Sequence, residues 1–159
     1  MSRYVVALIC SLLTVQSVVA DDRAKLLGSW KLVAWVQEFQ DGSEPRPEYG
    51  RHPIGYLIFT PEGRMMALLE GEGRQSPSND QERAALFQSM IAYTGKYSIE
   101  GDKWTTKVDA AWHPVRRGSD QVRTFKIQGD RLYVTTPYRP SPNFGGKVFR
   151  SLLVWEREK

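Results

Sequence analysis

The sequence predicts an all-β fold: an eight-stranded up-and-down antiparallel barrel with one inserted helix. Three observations carry this expectation. Eight strand-like runs are present, and most alternate apolar and polar positions. Most are joined by short glycine-bearing turns, which make consecutive strands antiparallel neighbours. One segment alone has helical character, and no internal repeat or second domain is visible. Eight strands closed on themselves leave an interior that holds side chains or one small ligand. A two-sheet sandwich would pack the same residues into a solid core.

The first strand opens at Gly28-Ser29-Trp30 and continues Lys31-Leu32-Val33-Ala34-Trp35-Val36-Gln37-Glu38-Phe39. Strict alternation puts Trp30, Leu32, Ala34 and Val36 on one face and Val33, Trp35 and Phe39 on the other, so both faces read as partly buried. Residues 21–27 suit a short helical lead-in. A Gly- and Pro-rich turn follows at residues 40–47, then a loop through His52-Pro53. Gly55-Tyr56-Leu57-Ile58-Phe59-Thr60 and Arg64-Met65-Met66-Ala67-Leu68-Leu69-Glu70 form a hairpin about Pro61-Glu62-Gly63. After a polar loop, Asp80 is a suitable cap for a helix over residues 81–91, with Ala84, Ala85, Phe87, Met90 and Ile91 as its apolar side. Strands then run over residues 93–100, 103–112, 121–128, 131–136 and 147–157. Gly101-Asp102 and Gly129-Asp130 are tight turns, and residues 137–146 make a long loop.

Composition bounds the function classes. Residues 1–20 read as an export signal: Arg3, an apolar run too short to span a membrane, and Val18-Val19-Ala20 as a small-residue cleavage site. Residues 21–159 then form one domain. The single cysteine, Cys10, lies in the signal, so the exported chain has no disulfide, thiolate nucleophile or cysteine-bound zinc. Losing Arg3 lowers the formal charge from +4 to +3. Arg116-Arg117, Arg139 and Arg150 are basic, some near aromatics, but so small a net charge together with export argues against nucleic acid as a partner. Two histidines without an acidic cluster make a poor metal site, and no phosphate loop, dinucleotide fingerprint or nucleophile motif is present. Neither a metal nor a cofactor is expected. Oligomeric state is left open.

Several segments, in order, resemble a known family. Gly28-Ser29-Trp30-Lys31-Leu32-Val33 resembles the Gly-x-Trp opening of lipocalins. Gly55-Tyr56-Leu57-Ile58-Phe59-Thr60-Pro61-Glu62-Gly63-Arg64-Met65 and Tyr93-Thr94-Gly95-Lys96-Tyr97 resemble signatures of the bacterial and fungal lipocalin-like proteins. Gln121-Val122-Arg123-Thr124-Phe125 and Leu153-Val154-Trp155-Glu156-Arg157 resemble their later motifs. The resemblance implies a calyx with an internal cavity and says little about activity, because fold does not fix function. Members often carry histidine in the strand matching residues 103–108, where this chain has Thr105-Thr106. The resemblance also implies that Arg157 stacks over Trp30 at the barrel base, a structural cation–π contact.

Arg123 is the sharpest functional candidate. It shares a face with Gln121, Phe125 and Ile127, and an inward guanidinium would hold a carboxylate, enolate or phenolate. The alternatives are a structural pair with Glu70 or Asp109, or a register shifted by one residue that turns it to solvent. Glu70, on the Met66 and Leu68 face, is either an inward acid–base group or a solvated rim residue. His113 and His52 precede prolines in loops, and each is either a base or a surface residue. Tyr56, Tyr93, Tyr97, Tyr133, Trp104, Trp112 and Phe125 are candidate wall residues for a flat or greasy ligand, or ordinary core.

The leading expectation is a periplasmic or secreted binder of a small hydrophobic molecule, with Arg123 as polar anchor and the helix as a lid. The second is an isomerase, cyclase or dehydratase on the same barrel, with Arg123 stabilising an oxyanion and Glu70, His113 or a tyrosine moving the proton. An inward Arg123 within reach of an inward Glu or Tyr favours the enzyme. An apolar cavity with one polar anchor favours the binder.

Overall fold

The computed structural model describes residues 23–47, 49–141 and 144–159. The expected export segment, residues 1–20, lies outside the described residues. The strands are β1 (Gly28–Phe39), β2 (Ile54–Phe59), β3 (Arg64–Glu70), β4 (Met90–Glu100), β5 (Lys103–Ala111), β6 (Asp120–Gln128), β7 (Arg131–Thr135), β8 (Arg139–Pro140) and β9 (Val148–Arg157). Helix α1 (Asp80–Gln88) stands between β3 and β4. Neighbouring strands pair antiparallel from β1 through β7 to β9, and β1 pairs with β9 to close the barrel. The two-residue β8 only adds to the outer end of β9. Eight strands thus form the wall, and the sandwich alternative is excluded.

Closure depends on β1. Its first residues pair with β2, Trp30 facing Leu57, and the rest pairs with β9 out to Phe39 opposite Phe149. The strand serves both neighbours because it bends at Val33, a bulge where the register with β9 shifts between Leu32 and Ala34. The bulge also changes which side chains face in. Trp30 and Leu32 are buried before it, and Trp35, Gln37 and Phe39 after it, while Val33 is exposed. Strict alternation from Trp30 would have sent Trp35 outward with Ala34 and Val36 inward. The extra residue corrects that reading.

A second bulge lies at Asp109, where the β4–β5 register shifts between Thr94 and Gly95. Gly95 is required there. A Cβ on it would sit 2.0 Å from the Lys107 carbonyl oxygen, a backbone atom that cannot swing aside. Beyond the bulge the inward alternation of Trp104, Thr106 and Val108 passes to the half-buried Ala111, leaving Ala110 and Trp112 outside.

One end of the barrel is plugged. Residues 23–26 form a helical turn. The Trp30 indole N–H donates to the Leu26 carbonyl at 2.9 Å, and Trp30 is completely buried. Arg157 lies 4.1 Å over the Trp30 ring and donates to the carbonyls of Leu27, at 2.9 Å, and Lys25. The expected contact at the base is therefore present, and it ties the last strand to the chain entering the first. Phe59 packs edge-on against Tyr97 and Trp104 in the same interior.

Helix α1 differs from expectation. Its cap is Asn79, not Asp80: the Asn79 side-chain oxygen accepts from the Glu82 backbone N–H at 2.9 Å. The Glu82 carboxylate returns to the Ser78 N–H and hydroxyl, a reciprocal arrangement that frees Asp80 to be the first helical residue. The helix ends at Gln88, because Met90 and Ile91 already pair with Glu70 and Leu69 in the sheet. It buries no residue.

Candidate functional site

The other end of the barrel opens into a cavity of about 370 Å³. Its apolar wall comes from side chains that alternation turns inward: Leu57 from β2, Ala67 and Leu69 from β3, Val134 from β7, Leu153 and Trp155 from β9. Trp35 joins them because of the Val33 bulge, and Tyr49 from the β1–β2 loop stacks on it at 3.8 Å with the rings nearly parallel. Gln37 and Ser151 form a polar spot in the wall, the serine hydroxyl donating to the Gln37 amide oxygen at 2.9 Å. Trp35, Trp104 and Trp155 leave their indole N–H groups without an acceptor among the described residues.

The cover over the mouth is the β5–β6 loop. A short 3₁₀ turn at Pro114–Arg116 is started by His113, whose Nδ1 accepts from the Val115 N–H at 3.3 Å, and it brings Val115, Arg116 and Ser119 to the cavity. Arg123 and Gln121 reach the same space from β6, and Arg139 from the β7–β9 connection. Arg116 and Arg123 both donate to Gln121 Oε1, at 3.0 and 3.2 Å. Arg123 also donates to the Tyr93 hydroxyl at 3.3 Å and the Val122 carbonyl at 2.7 Å. The Arg116 guanidinium stands 5.9 Å from the Tyr93 ring centre. Burial pushes Arg116 below the ordinary arginine value; the Tyr93 hydroxyl opposes this, and the like charges of Arg123 and Arg139 add to it.

The candidates taken from the sequence separate into two groups. Arg123, Tyr93 and Trp104 meet in the cavity. Tyr97 and Phe125 are buried but pack away from it, Tyr97 against Phe59 and Phe125 beside Trp104. Glu70 keeps the expected face with Met66 and Leu68, but that face is outward, because Met65, Ala67 and Leu69 are the buried set. Tyr56 and Tyr133 also lie on outward faces, in register with Leu68 and Lys126. Trp112 is 43% exposed; it donates its indole N–H to the Phe87 carbonyl at 2.9 Å and so pins the end of α1 to the outside of the barrel. The helix is therefore no lid, and none of its residues reaches the cavity. His113 is exposed and serves the turn; His52 is exposed in a loop. Asp109 pairs with Arg64 at 2.7 Å, which leaves Arg123 without that alternative partner.

Three residues at the mouth were not assigned to it from the sequence: Tyr49, Arg116 and Arg139. Tyr49 and Arg116 lie in connections and Arg139 on the two-residue β8, where alternation carries no information about direction. Among the described residues no group of three His, Cys, Asp or Glu could hold a metal, and no helix is long and apolar enough to cross a membrane.

A closed antiparallel barrel, plugged by tryptophan and arginine at one end and hollow at the other, defines a calyx-type β-barrel protein. The family model described as the lipocalin-like domain matches residues 27–158, and the chain belongs to that family. Comparison with curated proteins gives no match.

Proposed function

We propose that this protein is an exported binder of a small hydrophobic molecule held in the barrel cavity. The observation that carries the reading is the cavity itself. It has about 370 Å³ of space, at the small end of the ~300–1,000 Å³ of ligand pockets, walled by Trp35, Leu57, Leu69, Trp104 and Trp155. Such a wall favours an apolar guest by excluding water from both surfaces. Export rests on Arg3, the apolar run and Ala20 in the sequence. It is tested by N-terminal sequencing of the protein from cell-envelope and culture fractions, where a chain beginning at Asp21 is expected. Function is tested by native mass spectrometry of the protein purified from its own cells, with denaturing extraction of any bound molecule and titration of the purified protein with N-phenyl-1-naphthylamine. One apolar molecule per chain, or saturable probe binding lost in Ala67→Phe, supports the reading. Absence of both overturns it.

A second reading has its own observation. Arg123 donates to the Tyr93 hydroxyl, setting an oxyanion-stabilising cation beside a group that carries a proton. On this reading the barrel is an isomerase, cyclase or dehydratase for a small apolar substrate. Tyr93→Phe separates the two: a binder keeps its ligand unchanged, whereas the enzyme variant retains an unconverted substrate that the wild type turns over.

A further inference from the structure

Three arginines converge on the mouth of the cavity. Arg64, Arg83, Arg131 and Arg150 each face a carboxylate, on Asp109, Asp80, Glu156 and Glu38. Arg116, Arg123 and Arg139 have no carboxylate within ion-pair distance among the described residues, and all three border the cavity. Arg116 and Arg123 instead share the oxygen of a neutral amide, Gln121. Arg139 lies over the Phe149 ring at 5.2 Å. One amide oxygen satisfies the hydrogen-bond geometry of two guanidinium groups but offsets none of their charge. Like charges held together at a partly desolvated mouth repel one another, and an anion placed among them would gain from all three.

Resting on the reading of the cavity as a ligand site, we propose that its ligand is an amphipathic carboxylic acid, with the carboxylate at the mouth between Arg116, Arg123 and Arg139 and a compact ring-bearing body against the tryptophans. Three features select this class. The guanidinium fork matches a planar carboxylate through paired, charge-assisted N–H···O bonds. Gln121 Oε1 already shows where an acceptor oxygen sits between two of the forks. The cavity wall is rich in flat rings, with Trp35, Tyr49, Tyr93, Trp104 and Trp155 around it. The depressed proton affinity of Arg116, caused first by burial and then also by its cationic neighbours, agrees with a site that lacks its counter-charge.

The test compares 2-naphthoate with 2-naphthamide, nearly the same shape with and without the charge, by isothermal titration of the wild-type protein at low ionic strength. The acid is expected to bind at least tenfold tighter, with the difference shrinking as salt is raised. In Arg116→Gln and Arg123→Gln the ratio of acid to amide affinity, both measured in the same variant, is expected to fall several-fold toward one. Arg131→Gln, which changes an arginine paired with Glu156 outside the cavity, is expected to keep the wild-type ratio. If the amide binds as tightly as the acid in the wild type, the anion site is refuted while the cavity reading survives. If neither naphthalene binds, the anion site is refuted, and the cavity reading falls with it only where N-phenyl-1-naphthylamine and a co-purified apolar molecule are absent as well.

Discussion

Arg157→Ala tests how the barrel is closed. Arg157 lies 4.1 Å over the Trp30 ring and donates to the carbonyls of Leu27 and Lys25, so three contacts join β9 to the start of β1 and to the carbonyls of two residues before it. The bond to Leu27 is part-buried, and a charged donor in such a setting contributes about 1.5–3 kcal/mol. The bond to Lys25 is exposed and adds roughly 0.5 kcal/mol after solvent screening. The ring contact adds about 1 kcal/mol. The alanine variant is expected to lose about 3–4.5 kcal/mol, and Arg157→Lys, which keeps the charge but not the fork, about half of that. Urea denaturation followed by tryptophan fluorescence measures both, since five tryptophans report on the barrel. At an m-value of ~2 kcal/mol/M the alanine midpoint should fall by more than 1 M. An alanine variant within about 0.5 kcal/mol of wild type would refute the view that this arginine holds the base shut.

Other outcomes follow from the same geometry. Gly95→Ala, which drives a Cβ to 2.0 Å from a backbone oxygen, is expected to cost more than about 2 kcal/mol in the same denaturation experiment, and a neutral result would remove the close β4–β5 approach from the account. The Asp109 carboxyl is held below its usual range by the hydrogen bonds from Arg64. A depressed carboxyl contributes stability above its unfolded value of ~3.9 that is lost as pH falls through the folded value. The melting temperature of the wild type should therefore drop more steeply below about pH 4 than that of Asp109→Asn, and equal slopes would count against the pair. Trp112→Phe should loosen α1 without altering ligand affinity, measured by titration with N-phenyl-1-naphthylamine; a changed affinity would mean that the helix does reach the cavity.

The barrel was legible because most of its strands obey period two and its hairpins are marked by Gly63, Gly101 and Gly129 at positive φ. Where alternation failed, it failed at bulges. Val33 and Asp109 each insert one residue, and everything after them changes face: Trp35 turns in, Trp112 turns out. A bulge leaves little trace in a single sequence, since Val33 is as good a strand residue as its neighbours. The direction of Glu70 stayed open for a different reason. Both faces of β3 are apolar, so Met66 and Leu68 looked as suitable for the core as Met65, Ala67 and Leu69. With apolar groups on both sides, the pattern does not say which side is the inside.

The site was legible only as far as it lies on strands. Gln121 and Arg123 are two residues apart on β6, so one inward residue forces the other inward, and Phe125 buried on the same face fixes the direction. Arg116 and Arg139 reach the cavity through a 3₁₀ turn and a long connection, and nothing in their spacing from Arg123 foretells it. Read as sequence, these arginines suggested only weak basicity. Their meaning comes from position: the fold brings Arg116, Arg123 and Arg139 to one cavity mouth, and none of the three has a carboxylate partner there among the described residues. The strands thus set the size and greasiness of the cavity and place Arg123, while the turn and the long connection add Arg116 and Arg139. In a barrel whose wall is constrained by closure, loop residues can change without disturbing the strand register, so ligand choice can vary while the Trp30–Arg157 base stays as it is.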